Sequence, residues 1–266
     1  MAPVAGTFYP GRAEVLSHEI ARLLAHAGAQ VHTAPGPPKA LIVPHAGYVY
    51  SGTTAALAYA QLAPWRDTVR RVILLGPVHR VAVRGLALPG STHLSTPLGS
   101  VTVDQAAIAL LSPLRQVTVN PAAHALEHSL EVQLPFLQTV LDEFQIVPLA
   151  VGDAKPVEVE EVLNTLWGGP ETLIVISSDL SHFLPYRSAH TMDLETAQAI
   201  LHLRGSLTHQ QACGGTPING LLLAAKRHQL KPNLLGLCNS GDTTGDRQRV
   251  VGYASFVFSG VDHAHH

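Results

Sequence analysis

Short apolar runs and longer amphipathic stretches alternate along nearly the whole chain. The runs are rich in Val, Ile and Leu and bounded by Gly, Pro, Asp and Ser. They predict strands over 40–43, 71–75, 86–88, 146–151, 172–177, 233–237 and 250–258. Between them, apolar residues recur at helical spacing and predict helices over 12–27, 52–62, 104–111, 126–144, 156–166, 190–203 and 217–228. Strands that are apolar at successive positions need cover on both faces. The alternation therefore predicts an α/β fold of three layers, with a mainly parallel central sheet and helices on both faces. The run 250–258 is long and reads as an edge or antiparallel strand.

The one candidate linker, 33–39, carries Pro35, Gly36, Pro37 and Pro38, yet a single helix precedes it, too little to bury a core of its own. Residues 1–266 therefore read as one domain. Hydrophobic residues make up 46% and charged residues 14%, a balance that argues against disorder. The net charge is −2 and the Lys and Arg residues are scattered, so no nucleic-acid partner is expected. No run is long enough to cross a bilayer, and the start lacks the charged and apolar regions of a secretory signal. Two cysteines, Cys213 and Cys238, are too few for a disulfide framework. A cytoplasmic protein without a membrane partner is the expectation.

Histidine is the disproportionate residue, at 16. His18, His26, His202 and His228 fall in amphipathic stretches and read as structural, and His263, His265 and His266 sit in the last few residues, where no role is expected. The informative ones follow predicted strands. In open α/β sheets, ligands bind beyond the carboxyl ends of the strands. There the chain places Pro44-His45-Ala46-Gly47-Tyr48, Gly76-Pro77-Val78-His79, Ser177-Ser178-Asp179-Leu180-Ser181-His182 and Cys238-Asn239-Ser240-Gly241-Asp242. Parallel strands bring such ends to one edge, so His45, His79 and Cys238 are a candidate metal set with Asp179 and His182 nearby. Imidazole and thiolate suit iron(II), zinc and copper, and three protein ligands leave positions open. Cys213, beside Gly214 and Gly215 in an expected turn, receives no function. The start of helix 126–144 adds Glu127, His128, Ser129 and Glu131. His128 is a candidate proton carrier, whereas Glu127 also suits a helix start by complementing its dipole, and His124 reads as a loop residue without a role.

Together with Ala5-Gly6-Thr7-Phe8-Tyr9-Pro10 and Glu127-His128-Ser129-Leu130-Glu131, these segments resemble the Memo family, also called AmmeMemoRadiSam system protein B. The fold of that family is similar to class III extradiol ring-cleaving dioxygenases. The resemblance implies a metal at His45, His79 and Cys238, with iron(II) the first candidate and zinc or copper as alternatives. It implies Asp179, His182, His128 and Glu127 as the catalytic groups, with Tyr48 and Phe183 lining a ring pocket. A small dihydroxylated aromatic substrate and O2 are then the expected partners, and a radical-enzyme or AMMECR1-like protein partner is a further implication. Ring-cleaving relatives use two histidines and a glutamate, so a cysteine in third place departs from their pattern. Two other readings follow from the same residues: a non-catalytic module that holds a metal or a peptide, and a zinc-type hydrolase.

Overall fold

The computed structural model describes residues 2–30 and 36–260. The first part of the proline-rich linker, 33–35, and His263, His265 and His266 lie outside the described residues. The elements run α1 (Ala13–Gly28), β1 (Ala40–Val43), α2 (Tyr48–Tyr59), a 3-10 turn (Ala60–Trp65), β2 (Arg71–Pro77), β3 (Leu86–Leu88), β4 (His93–Thr96), β5 (Gly99–Val103) and α3 (Gln105–Leu110). They continue β6 (Val117–Val119), α4 (Pro121–Ala125), α5 (His128–Glu131), α6 (Leu134–Val140), β7 (Gln145–Val151), α7 (Pro156–Thr165), β8 (Thr172–Ser177) and β9 (His182–Leu184). The last are α8 (Tyr186–Leu201), α9 (Gly215–Arg227), β10 (Lys231–Asn239), α10 (Ser240–Thr244) and β11 (Val250–Ser259).

The sheet runs in the order β10, β11, β1, β8, β2, β7, β3, β6. Its centre, β1, β8, β2 and β7, is parallel throughout. Antiparallel pairings flank that centre. β11 runs antiparallel to both β1 and β10, so it is an interior strand rather than an edge, and β10 beyond it points the same way as β1. Successive side chains of the central strands enter different cores. Leu41, Val43, Val72, Leu74, Leu173 and Val175 pack with Leu16, Ile20, Tyr59 and Phe136 from α1, α2 and α6. Ile42, Ile73, Leu75, Ile174 and Ile176 pack with Val159, Ile200, Ile218 and Leu221 from α7, α8 and α9. Both faces being covered is why these strands are apolar at every position.

Three differences from the sequence reading bear on the site. The helix expected over 126–144 is broken into α5 and α6, because Pro135 at the start of α6 lacks an N–H and cannot continue the turn begun at His128. The helix expected from Gly52 starts a turn earlier, at Tyr48. His182, expected in a loop, opens the short strand β9, which pairs with β11 through Val251.

Candidate functional site

His45 and His79 follow β1 and β2, and His128 opens α5 beside them. Each of the three offers a ring nitrogen, and these atoms lie within 4.8 Å of one another. The approach of α5 to β2 depends on Gly76, where a Cβ would meet the Oγ of Ser129 at 2.8 Å. The Ser129 hydroxyl donates to Pro77 O at 2.8 Å and locks that contact.

The hydrogen bonds assign a tautomer to two of the rings. Ser177 Oγ donates its only proton to Ser129 O (2.5 Å) and accepts from Gln133 Nε2 (2.9 Å), so its contact with His45 Nδ1 at 2.9 Å is a bond donated by the ring. His79 Nδ1 donates to Glu127 Oε1 at 2.8 Å, while the His79 amide donates to Oε2 at 2.6 Å. His128 Nδ1 lies 3.3 Å from the same Oε1. With every Nδ1 turned to a protein partner, Nε2 is the nitrogen of each ring that faces away from those partners, and at His45 it lies 3.4 Å from the Cys213 thiol.

Burial opposes ionisation of Glu127, but the hydrogen bonds from His79 and Ser129 outweigh it and hold the carboxyl at about 2. Burial, reinforced by the charges of His128 and His79, keeps His45 well below the usual imidazole range, and burial lowers His128 as well. Both shifts favour the neutral form that ligation requires at His45 and His128. The His45 side chain is 1% exposed, that of His128 18% and that of His79 30%, so the group opens to solvent on the His79 side. A cavity of about 610 Å³ begins there, with His79 and Cys213 among its walls.

Asp179 is buried beside the group. Its Oδ1 accepts from the His45 amide at 2.8 Å, its Oδ2 lies 4.0 Å from His45 Nε2, and burial raises its carboxyl above the usual range. His182 lies close enough for its charge to act on both Asp179 and His45. Its Nδ1 donates to Leu180 O at 2.9 Å, which leaves Nε2 as an acceptor. The loop carrying both residues is clamped to β11 by Leu180 N to Gly252 O and Gly252 N to Ser181 O, and to α8 by Ser181 N to Asp193 Oδ1 at 3.0 Å.

Cys238 is not among the three residues of this group. β11 separates β10 from β1, so two strand spacings, on the order of 10 Å, intervene. Its Sγ lies 3.0 Å from the Thr54 hydroxyl of α2, and burial raises the thiol. His128 is the third residue of the converging group. Cys213, given no function by sequence, has its Sγ 3.4 Å from His45 Nε2, with the thiol pushed up to about 12 by burial and by the Asp179 carboxylate. No spacing signal in the sequence marks Ser177 or Gln133. Neither expected ring-pocket residue borders the cavity beside His79. Tyr48 is core, packed on Phe136 and donating to Val132 O at 2.7 Å, because α2 begins at it. Phe183 is exposed, with a φ of 59° and Arg249 over its ring. His124 donates from Nε2 to Ala87 O and takes no part.

Among solved structures, an uncharacterized protein of Escherichia coli K12 shares the fold with a TM-score of 0.53 at 14% identity, over 83% of this chain and 99% of that one. MEMO1 family proteins of Methanosarcina mazei (35% identical) and Sulfurisphaera tokodaii (34%) each align over 96% of this chain and 97% of their own length. One from Aquifex aeolicus is 34% identical over the same shares. Residues 1–257 match the family described as Memo-like protein, and the chain belongs to that family.

Proposed function

We propose that the protein is a metal-dependent oxidoreductase that uses O2 to oxidise or cleave a dihydroxylated aromatic small molecule. The observation that carries this reading is the convergence of three histidines, each with Nδ1 turned to a protein partner, beside Asp179 and His182. The donor set fits a divalent transition ion: three neutral imidazoles suit iron(II), zinc or copper, and three protein donors leave positions open. Iron(II) bound there would supply Lewis acidity toward the ring hydroxyls and the redox chemistry that O2 needs.

The chain's own groups then handle protons and position. His182 Nε2, free because Nδ1 is committed to Leu180 O, accepts a hydroxyl proton from the substrate and later returns it to the product. Asp179 stabilises the resulting imidazolium across the buried site. Glu127 acts by holding His79, and His128 serves as a ligand rather than a proton carrier. In ring cleavage a carbon–carbon bond breaks and both atoms of O2 enter the product, so no further reductant is required.

A specific observation favours a second reading. His128, rather than a thiolate or a carboxylate, completes the set, so the donors are all neutral and leave the ion's full charge to acidify a bound water, as a zinc hydrolase would use it. Anaerobic metal analysis with an oxygen-uptake screen on substituted catechols separates the two. Stoichiometric iron, lost in His45→Ala, His79→Ala and His128→Ala, with uptake on a catechol that His182→Ala abolishes, supports ring oxidation. Zinc without uptake turns the assignment to hydrolysis, and a wild-type protein that holds no metal removes both.

A further inference from the structure

We infer that the substrate carries an anionic substituent, in the simplest case a ring carboxylate, and that Arg80 is its partner; this rests on the proposed reading of the same cleft. The cavity of about 610 Å³ beside the histidines has an apolar wall that includes Val78, Val81, Val83 and Val151, suited to a flat ring. His79 and Cys213 mark its inner end, next to the metal donors. Its remaining polar lining is Arg80, His209, Asp153 and Gly152.

Arg80 follows His79 directly, is exposed, and is near enough for its charge to disfavour protonation of His128. Among the described residues no carboxylate pairs with it. Asp153 is the one carboxylate among the residues lining this cavity, and it also borders an adjoining cavity of about 550 Å³ together with Arg84, Arg115, Lys155 and Glu158. No ion pair among the described residues ties Asp153 to Arg80, so the guanidinium is left without a carboxylate partner inside the cleft. His209 donates from Nδ1 to Cys213 O at 3.3 Å, which leaves its Nε2 as a second polar atom on that wall. A planar guanidinium matches a carboxylate through two parallel hydrogen bonds. A ring with its hydroxyls toward the histidines, its faces against the valines and a carboxylate on Arg80 uses every kind of wall the cavity has.

The test is anaerobic calorimetric titration of the iron(II)-loaded protein with 3,4-dihydroxybenzoate and with catechol, which differ by the carboxylate alone, repeated on Arg80→Gln and Arg84→Gln. The dihydroxybenzoate is expected to bind about 10- to 100-fold more tightly than catechol. That preference disappears in Arg80→Gln and persists in Arg84→Gln, a residue that lines the adjoining cavity and not this one. Equal affinities, no binding of either probe, or a preference that survives Arg80→Gln overturns the inference. Because the titration needs no turnover, Arg80-dependent binding without oxygen uptake leaves the inference standing and removes the ring-oxidation reading instead.

Discussion

Glu127 links two of the three histidines through one carboxylate, accepting from the Nδ1 of His79 and lying 3.3 Å from the Nδ1 of His128. Its charge also works against the lowering of His128 by burial. Glu127→Gln keeps the shape and removes the charge, and metal affinity is expected to fall about 10- to 100-fold, read by competition against a chromophoric chelator. Undiminished affinity would make Glu127 a helix cap and nothing more. The same residue sets an acid limb. Its folded-state value of about 2 lies below the ordinary 4.5, so the unfolded chain binds more protons between those two values. The stabilisation is fully present above pH 4.5 and is lost as pH falls through about 2. Urea midpoints of the metal-free protein should therefore drop between about pH 5 and about pH 3, and drop less steeply in Glu127→Gln. Parallel limbs in the two proteins would locate the acid sensitivity elsewhere.

At the scale of elements, α5 is one turn long and owes its place to what it touches rather than to helix propensity. In Gly76→Ala the added methyl would meet Ser129 Oγ at 2.8 Å and Leu130 Cδ2 at 3.0 Å. The expected cost is about 1–3 kcal/mol in urea unfolding, with weaker metal binding because His128 is displaced. A variant with wild-type stability and affinity would show that α5 can yield without cost. The strands that matter here were readable because burial on both faces leaves their apolar runs uninterrupted, and the histidines stand where those runs stop. The hairpin of β4 and β5 was not, since it is half exposed, rich in Ser and Thr, and turns through Pro97 and Leu98 with no strong pattern on either side. Pro135 was visible in the sequence, but the apolar period continuing through it concealed the break between α5 and α6.

At the scale of the molecule, the sequence marked which residues end strands but not the order of the strands. Cys238 does end a strand at the same edge as His45; the insertion of β11 between β10 and β1 is what separates them, and no local pattern encodes that insertion. His128, which opens α5, is the residue whose ring nitrogen converges with those of His45 and His79. The site therefore ties together β1, β2 and the segment between α4 and α6, which are distant in sequence and absent as a cluster from the unfolded chain. A metal that binds only the folded state raises stability by mass action, by about 2.7 kcal/mol at about 100 times its dissociation constant. For a chain of this size that corresponds to roughly 5–10 °C in Tm. The shift is expected in the wild type and in Cys238→Ser, and absent in His128→Ala, when each is melted with and without added metal. The comparison decides the ligand set directly: a shift that survives His128→Ala but not Cys238→Ser would return the thiolate to the metal, and the separation imposed by β11 would then have to close on binding.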